Sequence, residues 1–229
     1  KFINSDYDLK FLVPKFIYSG KPVRFKDNFI KTNNLEFEKN YIDVCRLLIF
    51  SKYFQKYANI FEFGCGSGYN LIRISDIFPS KNIFGLDWSV SSVDLVNSFS
   101  KFNNLKITGY NFDFFKPNYE IEIPNSSVIF TQTALEQVGN GYDAFLDYIL
   151  KYKPELCVHI EPINELYNKE FPYDKIAIDY LLNRNYLNNF YTKIRELESE
   201  EKAKIIEVKR INSGGYYHES SLLVWKPLV

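Results

Sequence analysis

Three closely spaced glycines between a predicted strand and a predicted helix constrain this sequence more than any other feature. They lie in the stretch NIFEFGCGSGYN, residues 59–70. The bulky apolar residues Ile60, Phe61 and Phe63 predict a strand that is buried on both faces. The segment LIRISDIF that follows has apolar residues at helical spacing. A strand, a glycine turn and a helix in this order direct backbone N–H groups at a ligand above the carboxyl end of the strand.

The spacing of these glycines argues against two common nucleotide motifs. The dinucleotide fingerprint G-x-G-x-x-G would need its last glycine at Tyr69, and a P-loop would need a lysine, but none lies between Gly64 and Lys81. A tight turn without a ligand remains an alternative. The next predicted strand, NIFGLDWS, contains Asp87 near its end, where a carboxylate can accept hydrogen bonds from ribose hydroxyls. This residue favours a ligand over a purely structural turn.

The motif EFGCGSG, followed by a strand that ends in Leu-Asp, resembles the class I S-adenosylmethionine-dependent methyltransferases over about residues 58–226. Later segments fall in the same order: ITGYNFDFF after a third strand, VIFTQTALEQ as a fourth strand and loop, and AKIIEVKRI with SSLLVWKP as a terminal hairpin. The segments TQTALEQV and YYHES also resemble methyltransferases from bacterial surface-polysaccharide gene clusters. The resemblance implies an enzyme that uses S-adenosylmethionine and releases S-adenosylhomocysteine.

The order of the predicted elements indicates an α/β fold. We expect a Rossmann-like, doubly wound, seven-stranded sheet, mostly parallel with a C-terminal antiparallel hairpin. Predicted helices include one over residues 142–151 and a single long one over residues 173–199. Residues 36–229 form the predicted methyltransferase domain. Residues 1–35 mix aromatic residues with Lys and Arg, which predicts an arm packed across the domain or a lid that meets an acidic acceptor.

The amino-acid composition argues against several classes of function. The 229 residues carry a net charge of zero, which argues against a nucleic-acid substrate. The three cysteines are far apart without a C-x-x-C pattern, so we expect neither a disulfide framework nor a metal site. We see no signal peptide and no apolar run of the ~18 residues that a membrane span needs. We therefore expect a cytoplasmic protein that does not contact membranes.

The cofactor site predicted from these motifs consists of residues near the ends of the first four strands. The resemblance implies that Glu62 fixes the amine end of the donor and that Trp88 and Phe114 enclose the adenine. Simple burial in the core is the alternative for an aromatic residue. The predicted cofactor-binding residues are Glu62, Gly64, Cys65, Gly66, Gly68, Asp87, Trp88, Asp113, Phe114 and Thr131.

Candidate catalytic residues lie at the same edge of the predicted sheet. If the hairpin connection NSGGYYHES hangs over the site, His218 can take a proton from a hydroxyl, and Tyr217 forms part of an aromatic rim. His159 and Glu161 lie near the end of the fifth strand and are further candidate bases. Glu136, in the loop after the fourth strand, is another. For each of them a structural role is the alternative.

The predicted reaction is methyl transfer to a small polar acceptor, and an anionic acceptor is one of the expectations. A sugar or nucleotide-sugar hydroxyl in surface-glycan synthesis is favoured. The alternatives are N-methylation of an amine and methylation of a phosphorylated small molecule. Two other classes stay open: an NAD(P)-dependent oxidoreductase and an inactive ligand-binding module. The sequence does not predict the oligomeric state.

Overall fold

One nine-stranded sheet forms the centre of the protein, in the order β2-β1-β8-β9-β7-β6-β3-β4-β5. The structure, a computed structural model, describes residues 11–13 and 21–228. The strands are β1 (Val23–Phe25), β2 (Asn28–Ile30), β3 (Asn59–Phe63), β4 (Asn82–Asp87), β5 (Ile107–Asn111), β6 (Ser127–Gln132), β7 (Leu156–Glu161), β8 (Ala203–Gly214) and β9 (Glu219–Pro227). The helices are α1 (Phe37–Tyr53), α2 (Tyr69–Ile77), α3 (Val90–Phe102), α4 (Asp143–Tyr152), α5 (Pro172–Asn183) and α6 (Phe190–Ser199), with short 3-10 helices at Leu135–Val138 and Asn164–Leu166.

The sheet confirms the predicted fold class. Strands β3 to β7 are parallel, and β9 runs antiparallel between β7 and β8. The expected number of seven strands was too low, because β1 and β2 extend the outer edge of β8 through the pairing of Arg24 with Gly214. These two strands come from the segment predicted as an arm. The rest of that prediction, over residues 1–10 and 14–20, lies outside the described residues.

Apolar side chains fill both faces of the sheet because its central strands carry bulky apolar residues that point to either side. Ile60 of β3 packs in one cluster with side chains of α1, α2 and α3, whereas Phe61 and Phe63 pack in a second cluster with side chains of α4 and α6. Helices on both faces are what a doubly wound sheet requires.

The prediction of one long helix over residues 173–199 is wrong. The segment forms α5 and α6, and the link between them contains Asn185 and Asn189 in left-handed conformations, with φ of 52° and 58°. Asparagine adopts this conformation more easily than most residues. The N–H of Leu187 in the link donates to the carbonyl of Glu136, at 2.9 Å. The break therefore brings the end of α5 against the loop that follows β6.

The order of the strands also predicts where a ligand binds. Strand β3 pairs with β4 on one side and with β6 on the other. The strands that follow β3 in the sequence are therefore added first on one side of it and then on the opposite side. Open α/β sheets bind ligands at the carboxyl ends of the strands beside such a change of side. The glycine turn after β3 lies at this point.

Candidate functional site

The glycine turn after β3 is shaped by backbone conformations that other residues adopt only with strain. Gly64, Gly66 and Gly68 have φ of 75°, 52° and 77°. A Cβ on Gly64 would lie 2.3 Å from the Cβ of Ala134, and one on Gly68 would lie 2.8 Å from the ring of Phe99. A Cβ on Gly66 would meet nothing within 4 Å, because this residue faces an open cavity. The turn is thus packed on two sides and open on the third.

The open side belongs to a cavity of about 800 Å³, which we call the donor cavity. Its wall includes eight of the ten predicted cofactor residues: Glu62, Gly64, Cys65, Gly66, Asp87, Trp88, Asp113 and Phe114. Gly68 is the N-cap of α2 and shapes the turn without lining the cavity. Burial raises the pKa of the Cys65 thiol well above its ordinary value, so this side chain is a neutral part of the wall.

The carboxylate of Asp87 is held by two backbone groups. Its Oδ2 accepts the N–H of Gly66 at 2.8 Å, and its Oδ1 accepts the N–H of Ser89 at 2.9 Å. Asp87 is buried yet lines the donor cavity. Because each carboxylate oxygen can accept more than one hydrogen bond, both oxygens keep capacity for hydroxyl groups of a ligand.

Glu62 supplies a second carboxyl group at another part of the donor cavity. Its Oε1 accepts the side-chain N–H of Asn70 at 2.6 Å, whereas its buried Oε2 has no partner. Burial raises the pKa of Glu62 to about 8, and the guanidinium of Arg46 partly opposes that shift. A buried carboxyl oxygen without a hydrogen-bond donor is unfavourable, and burial also disfavours the charged carboxylate. An ammonium group beside Glu62 would supply the donor and stabilise the charge.

The aromatic residues expected around adenine differ in their surroundings. Trp88 is 75% exposed at the edge of the donor cavity. Phe114 packs edge-to-face on Phe145, with ring centroids 4.8 Å apart, while it also lines the cavity. The side chain of Asp113 lies in the same wall and accepts the N–H of Phe115 at 2.8 Å. Phe114 is therefore fixed by the core, and Trp88 is not.

Three of the predicted site residues lie beneath the cavities instead of in their walls. Thr131, His159 and Glu161 are fully buried and line neither the donor cavity nor the second cavity described below. Thr131 Oγ1 lies 3.0 Å from His159 Nδ1, and burial lowers the pKa of His159 to about 3. The structure gives His159 no access to an acceptor, because it packs against Phe190 and Trp225.

Glu161 supports the loop after β6. Its Oε1 accepts the N–H groups of Ala134 and Leu135, and its Oε2 accepts that of Glu136, each at 3.2 Å. Burial raises its pKa to about 7, and these hydrogen bonds oppose the shift. Glu161 therefore fixes the start of the 3-10 helix at Leu135–Val138. Between the end of β6 and the end of this 3-10 helix, the residues that line the donor cavity are Gln132, Thr133, Ala134, Gln137 and Val138.

A second cavity of about 300 Å³, which we call the acceptor cavity, adjoins the first. Arg46, Gln132 and Thr133 lie in the walls of both. Its other side chains come from distant parts of the chain. They include Lys21, Glu38, Tyr41, Cys45, Glu136, Tyr180, Arg184, Tyr186, Tyr216, Tyr217 and His218.

The predicted catalytic residues of the hairpin connection line the acceptor cavity. The ring of Tyr217 stacks on that of Tyr180, with centroids 4.4 Å apart and planes 12° apart. His218 lies 5.7 Å from Tyr180 between ring centroids, and its buried Nδ1 has no partner. Burial, with a smaller effect of the charge on Arg24, lowers the pKa of His218 to about 4. His218 is thus neutral at pH 7 but a weaker base than a solvated histidine.

A buried ionic cluster fixes this connection at its base. Arg210 Nη1 and Nη2 donate to Asp174 at 2.7 and 2.8 Å, and its Nε donates to Glu219 Oε1 at 2.5 Å. Arg24 of β1 donates to the carbonyl of Tyr173 at 2.9 Å, and its guanidinium lies 3.9 Å from the ring centroid of the same residue. Buried charges that are matched in this way hold α5, β1 and the β8–β9 connection in one arrangement.

The polar network between the two cavities was not predicted from the sequence. Arg46 Nε and Asn70 Nδ2 both donate to Gln132 Oε1, at 3.0 and 3.2 Å, and Arg46 Nη1 donates to Asp43 at 3.1 Å. One signal was available, because Arg46 interrupts the apolar run VCRLLIF of α1. No short motif marks the contribution of Tyr180, Arg184 and Tyr186, which depends on the break between α5 and α6.

The described residues contain neither a metal-binding cluster nor a helix that could span a membrane. Residues 11–13 and 21–228 contain no group of three or more His, Cys, Asp or Glu side chains that could hold a metal ion. Within the same ranges, no helix is both long and apolar enough to cross a membrane.

No protein-family model and no curated protein matches the sequence. Solved structures do resemble it. The O-methyltransferase of a trans-AT PKS multienzyme from Brevibacillus brevis, in complex with S-adenosyl-L-homocysteine, has a TM-score of 0.59 and 13% identity, over 82% of this chain and 75% of that one. The plantazolicin methyltransferase BpumL with the same ligand has a TM-score of 0.58 and 16% identity, over 84% and 86%.

The methyltransferase domain of the bacterial protein CtHen1-C is similar to the same degree. Its TM-score is 0.60 at 14% identity, over 82% of this chain and 97% of that domain. Identities this low establish the fold alone. The chain therefore has the mixed α/β, Rossmann-like methyltransferase fold, with two extra strands at one edge of its sheet.

Proposed function

We propose that the protein is an S-adenosylmethionine-dependent methyltransferase that acts on a small polar acceptor. One observation carries the proposal: the donor cavity, with its two fixed carboxyl groups and its glycine turn, opens beside an aromatic acceptor cavity. Methyl transfer needs a donor and an acceptor in line and close together, and a shared wall provides that arrangement. The bound S-adenosylhomocysteine of two similar structures supports the assignment of the donor.

The residues of the donor cavity fit this cofactor. The unpartnered Oε2 of Glu62 can accept a hydrogen bond from its ammonium group, and Asp87 can accept hydrogen bonds from its ribose hydroxyls. Gly66 leaves space for the backbone to approach it. When bound, the cofactor supplies an electrophilic methyl group on a positively charged sulfur. The work of the chain is to hold both partners and to exclude water.

In the acceptor cavity, Tyr217 and His218 are the proposed catalytic residues. The neutral imidazole of His218 has a free Nδ1 that can accept a hydrogen bond from an acceptor O–H or N–H group. Its low pKa favours a role in orienting that group over one as a strong base. In place of the catalytic roles proposed from the sequence, we assign His159 to packing in the core and Glu161 to support of the loop after β6.

A sugar or nucleotide-sugar hydroxyl in surface-glycan synthesis is the acceptor that we favoured from the sequence, and the stacked rings of Tyr180 and Tyr217 suit a sugar ring. N-methylation of an amine and methylation of a phosphorylated molecule are the alternatives. The other classes are an NAD(P)-dependent oxidoreductase, against which the glycine spacing argues, and an inactive binding module.

Calorimetric titration tests the proposed cofactor. S-adenosylhomocysteine should bind and raise the melting temperature, because a ligand of the native state at 100 times its Kd stabilises by about 2.7 kcal/mol. Under the same conditions, NAD and NADP should not bind. Binding of a nicotinamide cofactor without binding of S-adenosylhomocysteine would identify an oxidoreductase instead. Binding without turnover on any sugar, amine or phosphorylated acceptor would favour the inactive module.

A further inference from the structure

Carboxyl groups outnumber cations in the interior of the acceptor cavity. Glu38 and Glu136 are buried carboxyl groups of its wall. The one buried cation among the described residues of the wall, Arg46, already donates to Asp43 and Gln132. The other two cations described there, Lys21 and Arg184, are exposed side chains at the rim. An anionic acceptor would therefore meet two buried carboxyl groups and, in the described part of the wall, only a buried cation that already has partners.

Glu136 is the carboxyl group that still needs a hydrogen-bond donor. It is 8% exposed, and its buried Oε2 has no partner. Its neighbour Glu161 has both oxygens bonded to backbone N–H groups. Burial raises the pKa of Glu136 well above its ordinary range, the charge of Glu161 adds to this, and the charge of Arg184 opposes it. A donor group on a ligand would satisfy Oε2, and a positively charged donor would also favour the carboxylate form.

The tyrosines around Glu136 present ring faces that attract cations. The guanidinium of Arg184 lies 5.9 Å from the ring centroid of Tyr180 and 5.6 Å from that of Tyr186. These rings therefore already contact one cation, at the rim of the cavity. Aromatic rings combined with a carboxyl group form the usual surroundings of a bound ammonium group.

We propose that the acceptor carries an amino group, which binds as an ammonium ion between Glu136 and the tyrosine rings of the acceptor cavity. The proposal rests on the proposed function, because it assigns the cavity beside Thr133 to the acceptor. It holds for a sugar that bears an amino group and is methylated at a hydroxyl. It also holds for an amine that gives its proton to the carboxylate of Glu136 before transfer, because an ammonium nitrogen has no lone pair to attack the methyl group. It replaces the anionic acceptor that was expected from the basic residues of the N-terminal segment.

Three ring-shaped probes of similar size test this inference: cyclohexylammonium, cyclohexanol and cyclohexanecarboxylate. Their affinities are measured by NMR titration of the full chain saturated with S-adenosylhomocysteine, so that the ammonium site at Glu62 is occupied. Cyclohexylammonium should bind at least about tenfold more tightly than either other probe. E136Q should abolish this preference, and E122Q, at an exposed position, should keep it.

A second variant covers the case in which E136Q does not fold. Tyr217→Leu changes a side chain that is 51% exposed, and it should weaken cyclohexylammonium binding without changing that of S-adenosylhomocysteine. Equal binding of cyclohexylammonium and cyclohexanol, tighter binding of the carboxylate, or a preference that survives in E136Q would overturn the inference. If S-adenosylhomocysteine does not bind, the proposed function fails, and the same titration in E62Q still tests Glu136.

Discussion

The donor cavity and the acceptor cavity are neighbours, yet they are built in different ways. Most of the donor cavity comes from short segments at the ends of β3, β4, β5 and β6, where the sheet brings consecutive strands together. The acceptor cavity takes residues from α1, the β6 loop, the α5–α6 link and the β8–β9 connection. Its shape depends on long-range contacts such as the ion pair of Arg210 with Asp174.

Because of this difference, we expect substitutions in the two cavities to have different effects. The donor cavity depends on backbone geometry, with three glycines at positive φ, two of which have no space for a Cβ. The acceptor cavity depends on side chains that are carried by loops and helix ends. Substitutions in the first should therefore affect folding and cofactor binding, whereas substitutions in the second should affect turnover.

The largest effect is expected for Gly64→Ala. The new Cβ would lie 2.3 Å from that of Ala134, at a residue with φ of 75°. The left-handed conformation and the overlap together should lower the free energy of unfolding by about 2–5 kcal/mol, as measured by urea denaturation. Gly215→Ala in the acceptor cavity is the control, because its Cβ would lie 3.4 Å from Glu38 Oε1. Equal stability of the two variants would contradict the distinction between the cavities.

His218→Ala should separate turnover from cofactor binding. The variant loses the free Nδ1 of the acceptor cavity, so turnover should fall about 10- to 100-fold, while the Kd for S-adenosylhomocysteine stays unchanged. Because the pKa of His218 lies at about 4, the pH profile of wild-type turnover should show no step near 6.5. Full turnover in the variant would remove His218 from the chemistry of the site.

Asp87→Ala tests the other cavity in the same way. The variant loses the carboxylate that Gly66 and Ser89 hold in place, and its affinity for S-adenosylhomocysteine should fall by about 1–3 kcal/mol. Asp94→Ala, at an exposed position of α3, is the matched control for the lost charge. If calorimetry gives both variants the wild-type affinity, the assignment of Asp87 to the ribose is wrong.

The pH dependence of cofactor binding tests Glu62. Its pKa is raised to about 8 in the free protein, so it is mostly protonated at pH 7. An ammonium ligand binds the ionised form, and its affinity should therefore rise with pH, about tenfold per unit below pH 8, and level off above. Glu62→Gln should bind more weakly and lose this dependence. A flat profile in the wild type would place the ammonium group elsewhere.

The smallest effect is expected from metal removal. We predicted no metal site from the sequence, and each of the three carboxyl groups in the wall of the donor cavity, those of Glu62, Asp87 and Asp113, accepts a hydrogen bond from the protein. Turnover should stay the same in EDTA. Activity that is lost in EDTA and restored by magnesium would show that the reaction requires a metal ion and would contradict this prediction.

The two cavities also differ in how far the sequence predicted them. The segment from Glu62 to Gly68, with Asp87, was predicted because a strand, a turn and a helix are encoded by neighbouring residues. The same reasoning located the β8–β9 connection, since the order of the strands fixes which ends share an edge. It could not find the break after Asn183, because the helical spacing of apolar residues continues through it. Likewise, the burial of His159 under Trp225 depends on a strand pairing that no local pattern reveals.

A crystal structure of the protein with S-adenosylhomocysteine tests the central claim most directly. The account predicts the ammonium group of the ligand within hydrogen-bond distance of Glu62 Oε2 and the ribose hydroxyls at the carboxylate of Asp87. The sulfur should face Thr133 and the acceptor cavity. Ligand density outside the donor cavity, or in the reverse orientation with the adenine at Glu62, would contradict the account.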